Sequence, residues 1–184
     1  PEFLLSHPLT QSRIADARGR AVRYPSRDYG NNLEYQINRA RVIGHYAEDK
    51  PGLITDSAAR LRESSNSFMD DVNQYHMVIA YYENGLYKEA TSTLAPLLQK
   101  DPNRISYVVT QAEILTEQNE PGQALVFLKR HLEINPNNHA LTIAHINALT
   151  QARLYLEAAE QLENHLGYRD SDHHLWYQLA ETWG

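Results

Sequence analysis

With 184 residues and 42% hydrophobic content, the chain has room for one domain or slightly more, and enough apolar surface for a core. Its 17 Lys and Arg against 23 Asp and Glu leave a net charge of −6, which argues against sequence-independent nucleic-acid binding, because no basic excess is available to displace counterions from phosphates. No apolar run approaches the ~18 residues of a membrane-spanning helix, and the absence of cysteine removes disulfide and thiolate chemistry while suiting an oxidising compartment as well as a reducing one.

Pro1 to Phe3 lack the basic n-region and apolar h-region of a signal peptide. From Pro1 to Tyr24 an apolar strip leads through His7 and Pro8 to Thr10, which is placed to cap a short helix carrying Ile14, Ala17 and Ala21 on one side. Pro25 restricts Tyr24 and stops that helix. The polar, Gly-containing stretch 26–32 reads as a linker. Leu33, Ile37, Ala40, Gly44 and Ala47 then recur at helical spacing, Asp49 to Gly52 reads as a turn, and Ile54, Ala58 and Leu61 mark a second helix that ends in a Ser64 to Ser67 loop. Residues 33–70 thus form an atypical helical hairpin, of the kind that caps a repeat array.

The next stretch sets the pattern for the remainder. A helix ends in Tyr81 and Tyr82, Asn84 and Gly85 make the turn, and a second helix carries Tyr87, Ala90, Leu94, Leu97 and Leu98 before Asp101 and Pro102 stop it. The logic is that of an αα-hairpin in which a large ring on one helix covers a small Ala on the other. One hairpin cannot bury its apolar face alone, and the same residue classes recur at intervals of 34: Ala90, Ala124 and Ala158; Leu94, Leu128 and Leu162; Leu98, Leu132 and Leu166. Helix pairs are expected at 71–84 with 87–100, 104–118 with 121–133, and 139–152 with 155–166, then a lone helix from 173 bearing Trp176, Leu179, Ala180 and Trp183. Asn138 and Asp172 are candidate N-caps, and Gly167 a helix stop.

This pattern resembles the tetratricopeptide repeat, a 34-residue helix-turn-helix, and divides the chain into repeats at 71–104, 105–138 and 139–172 and the start of another at 173–184. Departures are Asn119 and Arg153 in place of the turn glycine, and His131 and His165 where a small residue is usual. The fold class implied is all-α: an α-solenoid of tetratricopeptide repeats wound as a right-handed superhelix, with strand content near zero.

The run Phe3-Leu4-Leu5-Ser6-His7-Pro8, followed by Arg13 and Ile14, resembles the segment that closes the catalytic domain in a family of zinc metallopeptidases carrying H-E-x-x-H. Joined to tetratricopeptide repeats, it resembles the periplasmic members of that family in Gram-negative bacteria, and residues 1–25 read as the tail of the peptidase domain. The resemblance implies zinc in the intact parent, a periplasmic setting, and partners drawn from the outer-membrane β-barrel assembly machinery and misfolded outer-membrane proteins. No His in this chain is followed by Glu, so no hydrolysis is expected of it, no catalytic residue is assigned and no cofactor of its own is expected. By resemblance alone, His7 is the one candidate near the zinc cleft, as ligand or regulator. The other histidines lack i, i+4 ligand spacing with carboxylate support and read as packing or surface residues.

The resemblance further implies that first helices line a groove for extended peptides or exposed loops of client proteins. Carried over by register, the groove residues are Arg41, Tyr75, Ile79, Tyr82, Glu113, Asn147 and Tyr177, with Asn38, His45, Val72, Val109, Thr116, Ile143, Thr150, His174 and Glu181 beside them. Interhelix packing is the alternative role for each of these positions, and aromatic stripes at this spacing commonly serve it. The peptide-carboxylate clamp known in this repeat family requires Lys, Asn and Arg, where Tyr75, Ile79, Val109 and Glu113 stand. Arg41 is placed to pair with an acid of the catalytic domain or of a client, the alternative being a solvated side chain, since exposed ion pairs contribute little. Three functions follow: client recognition for an attached peptidase, a free-standing interaction scaffold, or an autoregulatory domain that docks on its own catalytic domain.

Overall fold

The computed structural model describes residues 10–22, 32–64 and 66–183. The Phe3 to Pro8 run, His7 and residues 26–31 of the expected linker lie outside the described residues. Every regular element among those described is helical. Two compact units divide between Asn32 and Leu33. In the first, α1 (Thr10–Ala21) carries an Asp16–Arg20 ion pair one turn apart, at 2.7 Å, on an exposed face.

Among the described residues the second unit holds nine helices: α2 (Leu33–Tyr46), α3 (Lys50–Arg62), α4 (Ser67–Glu83), α5 (Tyr87–Lys100), α6 (Ile105–Glu117), α7 (Pro121–Ile134), α8 (His139–Gln151), α9 (Tyr155–Leu166) and α10 (His173–Trp183). From α5 onward each lies within one or two residues of its expected span. The earlier pair differs for reasons of capping. Asp49 accepts a hydrogen bond from the Gly52 amide at 3.0 Å and Pro51 occupies the first turn, where its missing N–H costs nothing, so the expected turn at 49–52 is the start of α3. Asn66 likewise accepts from the Met69 amide at 3.0 Å, which starts α4 four residues before the expected position. Asn138 caps α8 through the Leu141 amide and Asp172 caps α10 through the His174 amide. Each such cap contributes about 1 kcal/mol.

α2 and α3 both pack on α4, each helix from α4 onward packs on the next, and α8 lies on α6. The small residue of each second helix, Ala90, Ala124 and Ala158, is fully buried, as is the Leu one turn on, Leu94, Leu128 and Leu162. Tyr75 and Tyr107 fill the largest share of the first core cluster, their rings 5.6 Å apart and tilted. α3 is the exception. Its apolar residues Ile54 and Ala58 are only half-buried and Leu61 is exposed, while Ser57 is the one side chain it buries fully.

Each repeat turn passes through the left-handed region at the same register position: Gly85 at φ 71°, Asn119 at 63° and Arg153 at 59°. The turn geometry is therefore common to all three, and the glycine of the first copy is replaced by an asparagine, which visits φ > 0 readily, and then by an arginine, which adopts it at a steric cost. Gly167 ends α9 with a right-handed φ of −56°, so its role there is not conformational.

Candidate functional site

The first helices α4, α6, α8 and α10 face a cleft of about 390 Å³. Tyr82 comes from α4; Glu113, Thr116 and Glu117 from α6; Asn147, Thr150 and Gln151 from α8; and Gln178, Glu181 and Thr182 from α10. The spacing of three and four residues within each set is one face of a helix. A second cleft of about 450 Å³ lies between α2, α4 and α6, lined by Arg41, Val42, His45, Tyr46, Ile79, Tyr82, Glu83 and Glu113. Tyr82 and Glu113 line both.

Between the clefts stands a polar network built on Arg41. Its guanidinium donates to both carboxylate oxygens of Glu113, at 2.7 and 2.9 Å, and to Thr110 Oγ1 at 2.9 Å. Thr110 Oγ1 also bonds the Tyr75 hydroxyl at 2.7 Å and donates to the Ser106 carbonyl at 2.8 Å. Burial works against the Arg41 charge, but the Glu113 hydrogen bonds and charge outweigh it and hold the guanidinium firmly protonated. Burial raises the Tyr75 hydroxyl above its ordinary range despite the nearby arginine; burial and then the charges of Glu113 and Glu117 raise Tyr82 in the same way. Both phenols therefore remain neutral donors at physiological pH.

A second clasp fixes the neighbouring hairpin. Lys50 Nζ reaches Glu83 at 2.7 Å and the Gly44 carbonyl at 2.6 Å, while Asn84 donates to the Lys50 carbonyl at 2.7 Å. Gly44 itself is a contact residue: a Cβ there would lie 2.3 Å from Ile79 Cγ2. Only glycine allows α2 and α4 to approach this closely.

Of the seven expected groove residues, Arg41, Ile79, Tyr82, Glu113 and Asn147 line the clefts. Tyr75 and Ile79 are buried, with 0% and 4% of their surfaces exposed, because α2 and α6 pack over α4 at this depth; they form the floor of the network. Tyr177 is exposed but lines neither cleft, since α10 turns Gln178, Glu181 and Thr182 to it instead. Arg41, expected to await an acid outside this chain, already grips Glu113 within it. Thr110, Glu117 and Gln178 were not singled out from the sequence. Thr110 stands one turn before Glu113 on the same helix face, which is the signal that marks it.

The histidines separate by environment. His131 and His165 are buried at the positions where a small residue is usual, His131 against Phe127 and His165 stacked on His139, with Nδ1 of His139 2.9 Å from Nε2 of His165. Burial lowers all three below the ordinary histidine range. Among the described residues no group of three or more His, Cys, Asp or Glu side chains could hold a metal ion. No described helix is long and apolar enough to cross a membrane.

No protein-family model matches the chain. It is similar along 99% of its length to the β-barrel assembly-enhancing protease of Escherichia coli strain K12, 31% identical over 184 residues, and to that of Yersinia pestis, 27% identical over 183 residues. A putative β-barrel assembly-enhancing protease of Vibrio cholerae is 28% identical over 182 residues. The chain spans only 37–38% of the length of these curated relatives. The resemblance read from the Phe3 to Pro8 run and the repeats is thus borne out along the chain. Among solved structures, MamA MSR-1 C2 superposes with a TM-score of 0.54 at 18% identity, covering 82% of this chain and 84% of that one. A point mutant of MamA does so at 0.52, also at 18% identity, covering 82% and 86%. At that identity the likeness shows the fold alone, and it is the tetratricopeptide-repeat fold.

Proposed function

We propose that the second unit is the client-recognition part of a periplasmic protease that serves outer-membrane β-barrel assembly and quality control, and that clients lie along the face formed by the first helices. The observation that carries this reading is the pair of adjoining clefts that share Tyr82 and Glu113, lined from α2 to α10 by side chains rich in hydrogen-bonding groups. An extended segment presents backbone N–H and C=O groups throughout, and Asn147, Thr150, Gln151 and Gln178 are partners of the right kind. Similarity to β-barrel assembly-enhancing proteases over 99% of the chain supports this setting.

In this reading the zinc and the hydrolytic residues belong to the remainder of such a protein, since the chain contains no H-E-x-x-H. Its own repeats would raise the local concentration of client at the active site even where groove affinity is modest. Partners would be misfolded outer-membrane proteins and the β-barrel assembly machinery.

Site-specific photo-crosslinking tests the reading. A photoreactive residue at Asn147, in the cleft between α6, α8 and α10, is expected to capture an unfolded outer-membrane β-barrel protein. The same residue at Glu160, on the exposed face of α9, is not. Equal capture at both positions, or none at Asn147, would refute the proposal.

A further inference from the structure

The two clefts differ in charge balance. Around the cleft between α2, α4 and α6, each acid has a cationic partner: Glu113 is held by Arg41 and Glu83 by Lys50. The cleft between α6, α8 and α10 adds Glu117 and Glu181, and among the described residues no Lys or Arg lines it. The groups that do reach these two acids are neutral. Tyr87 donates its hydroxyl to Glu117 Oε2 at 3.4 Å, and the Tyr177 phenol bonds Glu181, which leaves both negative charges uncancelled.

A second observation points the same way. Gln178 donates its amide to Asn147 Oδ1 at 3.3 Å, yet its own Oε1 is buried at the cleft wall without a donor among the described residues. A buried acceptor left unpaired is costly, and a rotation of the Gln178 amide that turned Oε1 to the cleft would let a ligand N–H group pair with it. Ala144 and Ile146 add an apolar contribution to the lining.

From this combination we propose that the α6–α8–α10 cleft receives a lysine or arginine side chain of an extended client segment. The aliphatic stem lies on the apolar part of the lining, and the cationic head reaches Glu117 and Glu181. The proposal rests on the reading of this face as a client groove and adds the chemistry it selects. A metal ion does not fit, as no three ligating side chains converge among the described residues.

The test is fluorescence anisotropy of the 184-residue chain with two labelled, end-blocked peptides, one alternating threonine with lysine and one alternating threonine with glutamine. The lysine peptide is expected to bind about threefold to tenfold more tightly. That advantage should vanish in the isosteric double variant Glu117→Gln/Glu181→Gln and shrink as salt rises from roughly 50 to roughly 300 mM. Equal affinity for the two peptides, or an undiminished advantage in the double variant, overturns the inference. Spermidine bound as tightly as the lysine peptide also overturns it, because a bare polyamine would then suffice.

Asn147→Trp, which fills the same cleft from an exposed position, separates this failure from failure of the groove itself. If wild type binds both peptides equally and the tryptophan variant binds neither, the groove stands and the basic preference falls. If neither peptide binds wild type, or both bind the tryptophan variant unchanged, groove and preference fall together.

Discussion

Arg41 on α2 and Glu113 on α6 meet in a two-pronged ion pair, Nη2 to Oε1 at 2.7 Å and Nη1 to Oε2 at 2.9 Å, across helices that belong to different hairpins. Both side chains keep about a third of their surface in solvent, so the pair is neither fully buried nor fully screened. It joins α2 to the repeat that begins at α6, and it sets the wall common to both clefts.

Replacing one partner leaves the other half-buried and unmatched. Arg41→Met is expected to lower stability by about 1–2 kcal/mol, and Arg41→Lys by nearly as much, because lysine cannot reproduce the fork. Urea denaturation checks this. In a double-mutant cycle with Glu113→Gln, a coupling of about 0.5–1.5 kcal/mol is expected, whereas additive losses would mean that the pair is only geometric.

The three repeat turns offer a graded comparison at one backbone position. Arg153→Gly should raise stability by about 0.5–1 kcal/mol, since the left-handed conformation costs a β-carbon-bearing residue more than glycine loses in chain entropy. Asn119→Gly should give a smaller gain, and Gly85→Ala should lose about 1 kcal/mol although nothing stands within 4 Å of the added methyl. Thermal midpoints follow at about 2–4 °C per kcal/mol.

Gly44 tests the approach of α2 to α4. Gly44→Ala is expected to destabilise by about 1–3 kcal/mol, as its methyl would overlap Ile79 Cγ2. Truncating the obstacle with Ile79→Ala should make the double variant less damaged than the sum of the two single ones. Simple additivity would show that the two residues do not collide.

His76 governs part of the acid response. It is 8% exposed, and burial, with the nearby charges of Arg60 and Arg39 adding to it, pushes its pKa down to about 4. The unfolded chain binds that proton near the ordinary value of about 6.5, so the unfolded state holds more protons between the two. Stability is full above about pH 6.5 and falls as pH drops towards 4, by on the order of 2–3 kcal/mol. Urea midpoints measured across that range should slope for the wild type, less steeply for His76→Gln. His131, His139 and His165 are displaced downwards too and add to the same slope.

Much of the architecture was legible because its causes are local. Ala90, Ala124 and Ala158 announce a close helix contact wherever they stand, and Asn138 and Asp172 mark helix starts through bonds to amides two and three residues away. Reading was less successful where two local signals competed. Asp49, Pro51 and Gly52 look like a turn and act as a helix cap, and Ser67 looks like loop yet follows the cap Asn66. In the site, register brings Arg41, Ile79, Tyr82, Glu113 and Asn147 to the clefts, whereas on α10 it is Gln178 and not its neighbour Tyr177 that lines one.

The sequence by itself determined the helix pairs, their 34-residue register and the left-handed turn that recurs at Gly85, Asn119 and Arg153, since periodicity, capping and backbone preference act over a few residues. Tertiary structure alone decided which first-helix side chains reach the clefts. Stacking α2 and α6 against α4 buried Tyr75 and Ile79, gave Arg41 a partner 72 residues along the chain, and left Glu117 and Glu181 without a cation among the described residues of their cleft. Burial and charge balance depend on neighbours distant in sequence, and those neighbours exist only once the hairpins have packed.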